Sequence, residues 1–154
     1  DLRRKFIQEN DRRTFIASSF LDSEWLGQIE VESNVLFLAA GVFYYFDGEE
    51  IKTFVLRLLE RFPTSELVFD VASEIGVRVA NQKVIEGSGL DERSYLKWGL
   101  KNKKDILAWD KRIKLLGTYF YFRTLRMRLR NILMGFVSDI LGIQYMLHLK
   151  LGEG

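Results

Sequence analysis

Two almost uninterrupted apolar runs, at 34–42 and 66–71, bracket a stretch where Ile51, Phe54, Val55, Leu58, Leu59 and Phe62 recur at helical spacing. No other feature constrains the fold as tightly. A strand with one wet face alternates apolar and polar residues; a strand buried on both faces does not, and it belongs to a parallel sheet covered by helices. The stripe between the runs is one face of an amphipathic helix. Asp47 and Glu50 stand at capping-box spacing ahead of it, and Pro63 closes it. Strand, helix, strand in this order predicts a parallel pair joined by a right-handed crossover.

The rest of the chain extends the pattern. The charged start, Leu2 to Glu9, reads as the tail of a helix entering from upstream, and Thr14 to Phe20 as a short strand. Asp22 or Ser23 then caps a short helix. Apolar positions at Ile75, Val79, Val84 and Ile85 predict a helix over 74–86, which Gly87-Ser88-Gly89 breaks. A helix is expected over 103–111, a strand over 113–122 and a last helix over 125–141. Finally Tyr145, Leu147, Leu149 and Leu151 alternate against Gln144, Met146, His148 and Lys150, the signature of an antiparallel strand. Strands at 34–41, 66–72, 113–122 and 144–151 are therefore expected in one sheet, with the last antiparallel and inserted between its neighbours. This is a doubly wound α/β plan.

Composition narrows the chemistry. Net charge is +2, from 23 Lys and Arg against 21 Asp and Glu, too balanced for phosphate-backbone binding, so no nucleic-acid partner is expected. The chain has no Cys and a single His, His148, which removes thiolate nucleophiles and sulfur-based zinc sites. No metal site is expected. No apolar run reaches the roughly 18 residues that span a bilayer, so no membrane partner is expected and the cytoplasm is the expected compartment. Gly87-Ser88-Gly89 lacks the preceding strand and following helix of a phosphate cradle and reads as a hinge. His148 reads as a structural or surface histidine. Arg123, Arg126, Arg128 and Arg130 form either a solvated helix entrance or an anion contact.

In an open α/β sheet, ligands bind outside the carboxyl ends of the strands. Three such ends are readable. One is Ser18 to Asp22, where a carboxylate follows the apolar faces of Phe20 and Leu21. Another is Ala39-Ala40-Gly41-Val42, whose small residues admit a ligand close to the backbone, with Tyr44 and Tyr45 beyond. The third is Asp70 to Ser73. For Asp22 and Asp70 a helix-capping role stands equally beside a ligand role.

Six segments in order then resemble one family: Leu2 to Phe6, Ile16 to Asp22, Phe37 to Phe46, Leu67 to Asp70, Lys97-Trp98-Gly99-Leu100-Lys101 and Ile113 to Leu116. Together they resemble the bacterial O-methyltransferases of polyketide-biosynthesis type, in the leucine carboxyl methyltransferase family, over essentially the whole chain. The resemblance implies a class I methyltransferase (Rossmann-like) sheet, with residues 1–154 forming the carboxyl-terminal part of one methyltransferase domain. It implies S-adenosylmethionine as cofactor and a small-molecule hydroxyl or carboxyl acceptor. Leu21 and Asp22 would border the adenine, and Ala40, Gly41 and Val42 the methionine portion. Tyr45 and Trp98 are the candidate acceptor contacts. Methyl transfer is an in-line displacement at a sulfonium, so positioning supplies most of the catalysis and no covalent nucleophile is demanded.

Two departures stand out. The family's glycine-rich loop and ribose-binding acid would lie upstream of Asp1, so the sheet is expected to be incomplete. Many members carry Glu where this chain has Ala40. An incomplete sheet leaves raw edges, from which homo-oligomer formation or strand exchange is expected. Two classes of function remain: the carboxyl-terminal part of an active O-methyltransferase, or a non-catalytic binding or structural remnant.

Overall fold

The computed structural model describes residues 2–31, 33–121, 135, 138–139 and 142–152. They fall into two compact units, Asp1–Glu30 and Val31–Gly154. In the first, Arg3–Lys5 and Glu24–Gln28 form 3-10 turns. The strand expected over 14–20 is absent, for a reason visible in its hydrogen bonds. The Phe15 N–H donates to Glu9 Oε1 at 2.6 Å, and the Phe15 carbonyl accepts from the Arg4 guanidinium at 2.9 Å. Side chains thus satisfy both backbone groups of Phe15, where a ladder would need them.

In the second unit the elements are β1 (Leu36–Ala39), α1 (Gly48–Arg61), β2 (Ser65–Ala72), α2 (Glu74–Ala80), α3 (Lys104–Leu107), β3 (Ile113–Phe120) and β4 (Gln144–Leu151). The sheet order is β1-β2-β4-β3. β1 pairs with β2 in parallel, Leu36 opposite Glu66 through Ala39 opposite Phe69. β4 is inserted between β2 and β3 and runs antiparallel to both, from Ser65 opposite Leu151 to Ala72 opposite Gln144 on the β2 side. The ladder with β3 shifts register between Leu115 and Gly117.

α1 begins with the expected capping box, in which the Asp47 N–H donates to Glu50 Oε2 at 2.9 Å while the Asp47 side chain accepts from the N3 backbone. Its stripe of Ile51, Phe54, Val55, Leu58 and Leu59 is buried, as are Leu67, Phe69 and Val71 of β2 and Tyr145, Leu147, Leu149 and Leu151 of β4. Phe37 of β1 meets Phe62, just past α1, with ring centroids 5.3 Å apart. These residues are the core. On the opposite face Leu36, Leu38 and Tyr119 are exposed, and His148 Nε2 lies 2.6 Å from Glu66 Oε2, a structural pairing across the strands.

The helix expected over 74–86 is present, α2 continuing directly into a π-helical turn over Asn81–Ile85, where the Asn81 side chain donates to the Leu96 carbonyl and accepts from the Leu96 N–H, each at 2.9 Å. One helix is shorter than the sequence predicts. α3 stops at Leu107, well short of Lys111. There Asp110 Oδ1 accepts from the Arg112 N–H at 2.8 Å and closes a turn into β3. The glycine break is as expected, with Gly87 and Gly89 both at φ +77. The helix expected over 125–141 lies outside the described residues except at 135, 138 and 139, which are helical. Arg123, Arg126, Arg128 and Arg130 also lie outside them.

Arg112 binds Asp110 through two donors, at 3.0 and 2.8 Å, and also pairs with Glu60 at the end of α1. The hydrogen bonds from Arg112 lower the Asp110 carboxyl from its ordinary 3.8 to about 2. A carboxyl depressed by folding contributes stability above its unfolded value and loses it as pH falls through the folded one. Denaturation midpoints should therefore fall between pH 3.8 and about 2. In Arg112→Gln that part of the acid sensitivity is expected to disappear, and an unchanged acid limb would show that the pair does not link folding to protons.

Candidate functional site at the carboxyl ends of the strands

β1 and β2 end side by side, and one carboxylate ties the turn after β1 to β2. Asp70, near the end of β2, is 5% exposed. Its Oδ1 accepts from the Gly41 N–H at 2.7 Å and its Oδ2 from the Tyr121 hydroxyl at 3.4 Å. Gly41 has φ +68, a conformation that glycine enters without steric cost, and this turns its N–H toward Asp70. Asp70 is thus no helix cap. That role falls to Ser73, whose Oγ accepts from the Gly76 N–H at 3.1 Å.

Tyr44 completes the cluster. Its hydroxyl accepts from Gln144 Nε2 at 3.0 Å and feels the charge of Asp70. Burial first, and the Asp70 charge second, push the Tyr44 hydroxyl far above the ordinary phenol value; the same two causes raise Tyr121. Both hydroxyls stay protonated throughout the neutral range and act as donors. Asp70 is thereby held at the strand ends between the Gly41 N–H and the Tyr121 hydroxyl.

A loop crosses above. The Lys97 and Trp98 N–H groups both donate to the Tyr44 carbonyl, at 2.7 and 3.2 Å, and the Leu100 N–H donates to the Ala72 carbonyl at 2.9 Å. This lays Trp98 against the core. Its ring stacks on Phe69 at 6.3 Å and meets Phe43 and Trp109 at 6.4 Å each, leaving it 8% exposed. Tyr45 is 41% exposed, Ala40 and Gly41 are exposed and Val42 half-buried.

Leu21 and Asp22 belong to the first unit. There Asp22 Oδ1 accepts from the Glu24 N–H at 3.1 Å and opens the Glu24–Gln28 turn. The same unit holds an open cleft of about 470 Å³ whose lining includes Arg3, Arg4, Phe15, Phe20 and Trp25. The sequence pattern points to Asp70 but carries no sign of Tyr121 or Gln144 as its surroundings. Among the described residues no group of three or more His, Asp or Glu is placed to hold a metal ion, and no helix is long and apolar enough to cross a membrane.

No family model matches this chain, and no curated protein matches it. Solved structures do. A DUF574 family protein from Streptomyces avermitilis MA-4680 superposes with a TM-score of 0.51 at 15% identity, covering 86% of this chain and 53% of the other. A SAM-dependent methyltransferase from Anabaena variabilis ATCC 29413 superposes with a TM-score of 0.51 at 10% identity, covering 87% of this chain and 56% of the other. The fold is therefore α/β of methyltransferase type, an incomplete Rossmann-like sheet with an antiparallel strand inserted. The chain spans about half the length of each of these structures.

Proposed function

We propose that this chain is the carboxyl-terminal part of an S-adenosylmethionine-dependent O-methyltransferase of polyketide-biosynthesis type, acting in the cytoplasm on a hydroxyl or carboxyl of a small molecule. The supporting observation is the sheet, which shares its fold with a SAM-dependent methyltransferase over 87% of this chain. At the carboxyl ends of its strands a buried Asp70 accepts from the Gly41 N–H and the Tyr121 hydroxyl. In this reading Ala40, Gly41 and Val42 admit the methionine part of the cofactor close to the backbone. Leu21 supplies an apolar edge for the adenine, and Asp22 accepts from its exocyclic amine. Tyr45 and the loop bearing Trp98 face the acceptor. The cofactor supplies an activated methyl group; the protein binds, orients and excludes water.

Calorimetric titration of S-adenosylmethionine into the intact protein, with the 154-residue chain beside it, tests this. Saturable binding is expected in the intact protein, and Asp22→Ala should weaken it by roughly 1 to 3 kcal/mol through loss of hydrogen bonds. Affinity unchanged by that substitution would leave Asp22 as only the opening of the Glu24–Gln28 turn. No binding by the intact protein would make the chain a non-catalytic remnant of the fold.

A further inference from the structure

The ladder between β1 and β2 stops at Ala39 opposite Phe69, and one side chain carries the connection a step further. Asp70, the next residue of β2, takes the Gly41 N–H at 2.7 Å. Its place is fixed from other sides, since it lies opposite Met146 in the ladder with β4, its Oδ2 accepts from the Tyr121 hydroxyl, and it is buried. The Gly41 N–H is thus drawn inward.

This sets the other half of the same peptide group. A peptide unit is planar, and among the described residues none is cis, so the Ala40 carbonyl points opposite to the Gly41 N–H and away from Asp70. On that side the chain is open: Ala40 and Gly41 are exposed, and nothing lies within 4 Å of the Cβ position at Gly41. Glycine serves here for its φ of +68, not for lack of room. Among the described residues no group donates to the Ala40 carbonyl. A carbonyl aimed into open space accepts from a ligand N–H, and a charged donor makes the stronger bond.

We propose that Asp70 is a positioning residue which, by holding the Gly41 N–H inward, aims the Ala40 carbonyl at the ammonium group of the cofactor's methionine portion. This role rests on the reading that S-adenosylmethionine lies along Ala40 to Val42, and it names the group that recognises the amine. Asp70 itself stays behind the turn and acts through the peptide it orients.

Three ligands are titrated calorimetrically into the intact protein: S-adenosylmethionine, its decarboxylated form, which keeps the ammonium, and methylthioadenosine, which lacks the amino-acid portion. In Asp70→Ala the first two should bind about tenfold more weakly and methylthioadenosine as before. Asp70→Asn, whose amide oxygen can still accept from Gly41, should restore most of the lost affinity. Should Asp70→Ala fail to fold, the Ala40 carbonyl carbon resonance of the unmodified protein carries the test, and it should shift with the two ammonium ligands but not with methylthioadenosine. The proposal is overturned if Asp70→Ala weakens all three ligands alike, as a merely structural residue would, or weakens none. It is overturned too if Asp70→Asn loses as much as Asp70→Ala, which would mark a direct attraction by the charge, or if the Ala40 resonance ignores the ammonium. Methylthioadenosine binding as tightly as S-adenosylmethionine would refute the ammonium contact and leave the nucleoside site standing. Failure of all three ligands to bind would instead remove the methyltransferase reading, and this role with it.

Discussion

Replacing Phe69 by Ala is expected to lower the unfolding free energy by about 3 to 5 kcal/mol, the range for truncating a fully buried aromatic residue. Phe69 is 1% exposed and sits on β2, the strand held between β1 and β4. Its ring lies 5.2 Å from that of Phe43 and 6.3 Å from Trp98. Hydrogen bonds to a strand on either side prevent β2 from closing the void, so both transfer and cavity costs should be felt. Urea unfolding followed by tryptophan fluorescence measures the loss, and Trp98 should also report a wetter ring in the folded variant. A loss below about 1 kcal/mol would mean that the aromatic cluster is not packed in solution as described.

Gly76→Ala should cost about 2 kcal/mol, for the opposite reason. A Cβ at Gly76 would lie 2.1 Å from the carbonyl oxygen of Ile143 and 2.9 Å from its carbon. Both partners are backbone and both are pinned. The Ser73 N–H donates to the Gly142 carbonyl at 3.0 Å, and the Ile143 N–H donates to the Ser138 carbonyl at 2.9 Å, so α2 and the start of β4 cannot simply part. Alanine's helix propensity returns about 1 kcal/mol. Overlap of this severity costs about 3 kcal/mol, so destabilisation should win. Gly27 is the control, because nothing lies within 4 Å of its Cβ position. Gly27→Ala should change stability by less than about 0.5 kcal/mol. Equal melting temperatures for the two variants would refute the close approach. In Gly76→Ala the hydrogen bond from Gln144 to Tyr44 should loosen as well, since Gln144 comes directly after the displaced residue.

The elements legible in the sequence are those whose patterns have one physical solution. The apolar run of β2, the stripe of α1 with its capping box, and the alternation of β4 each required burial, and the structure buries them; β1, expected to be buried on both faces, instead lies at the end of the strand order and leaves Leu36 and Leu38 exposed. The insertion of β4 beside β2 was legible too. Local side-chain chemistry hid the rest. Glu9 and Arg4 satisfy the backbone of Phe15 in a β-prone segment, and Asp110 turns the chain just past α3. Such competition leaves no periodic trace. The site was half legible for a related reason. Strand ends can be found by pattern, but the meeting of Asp70 with Gly41, Tyr44 and Tyr121 joins residues distant in sequence, and only the register brings them together.

The placement of β4 also sets the order in which this sheet can form. β2 and β3 never touch through their ladders; each is bonded to β4, the latest of the four strands in the chain. β1 and β2, with α1 between them, can assemble from neighbouring residues, whereas the ladder from Ser65 to Leu151 must wait for a long loop to close. Until then the inner edge of β2 is bare, and its Leu67, Phe69 and Val71 lack β4 as a neighbour. Refolding should be slow, limited by docking of residues 144–151, and during that interval the half-built sheet is most exposed to aggregation.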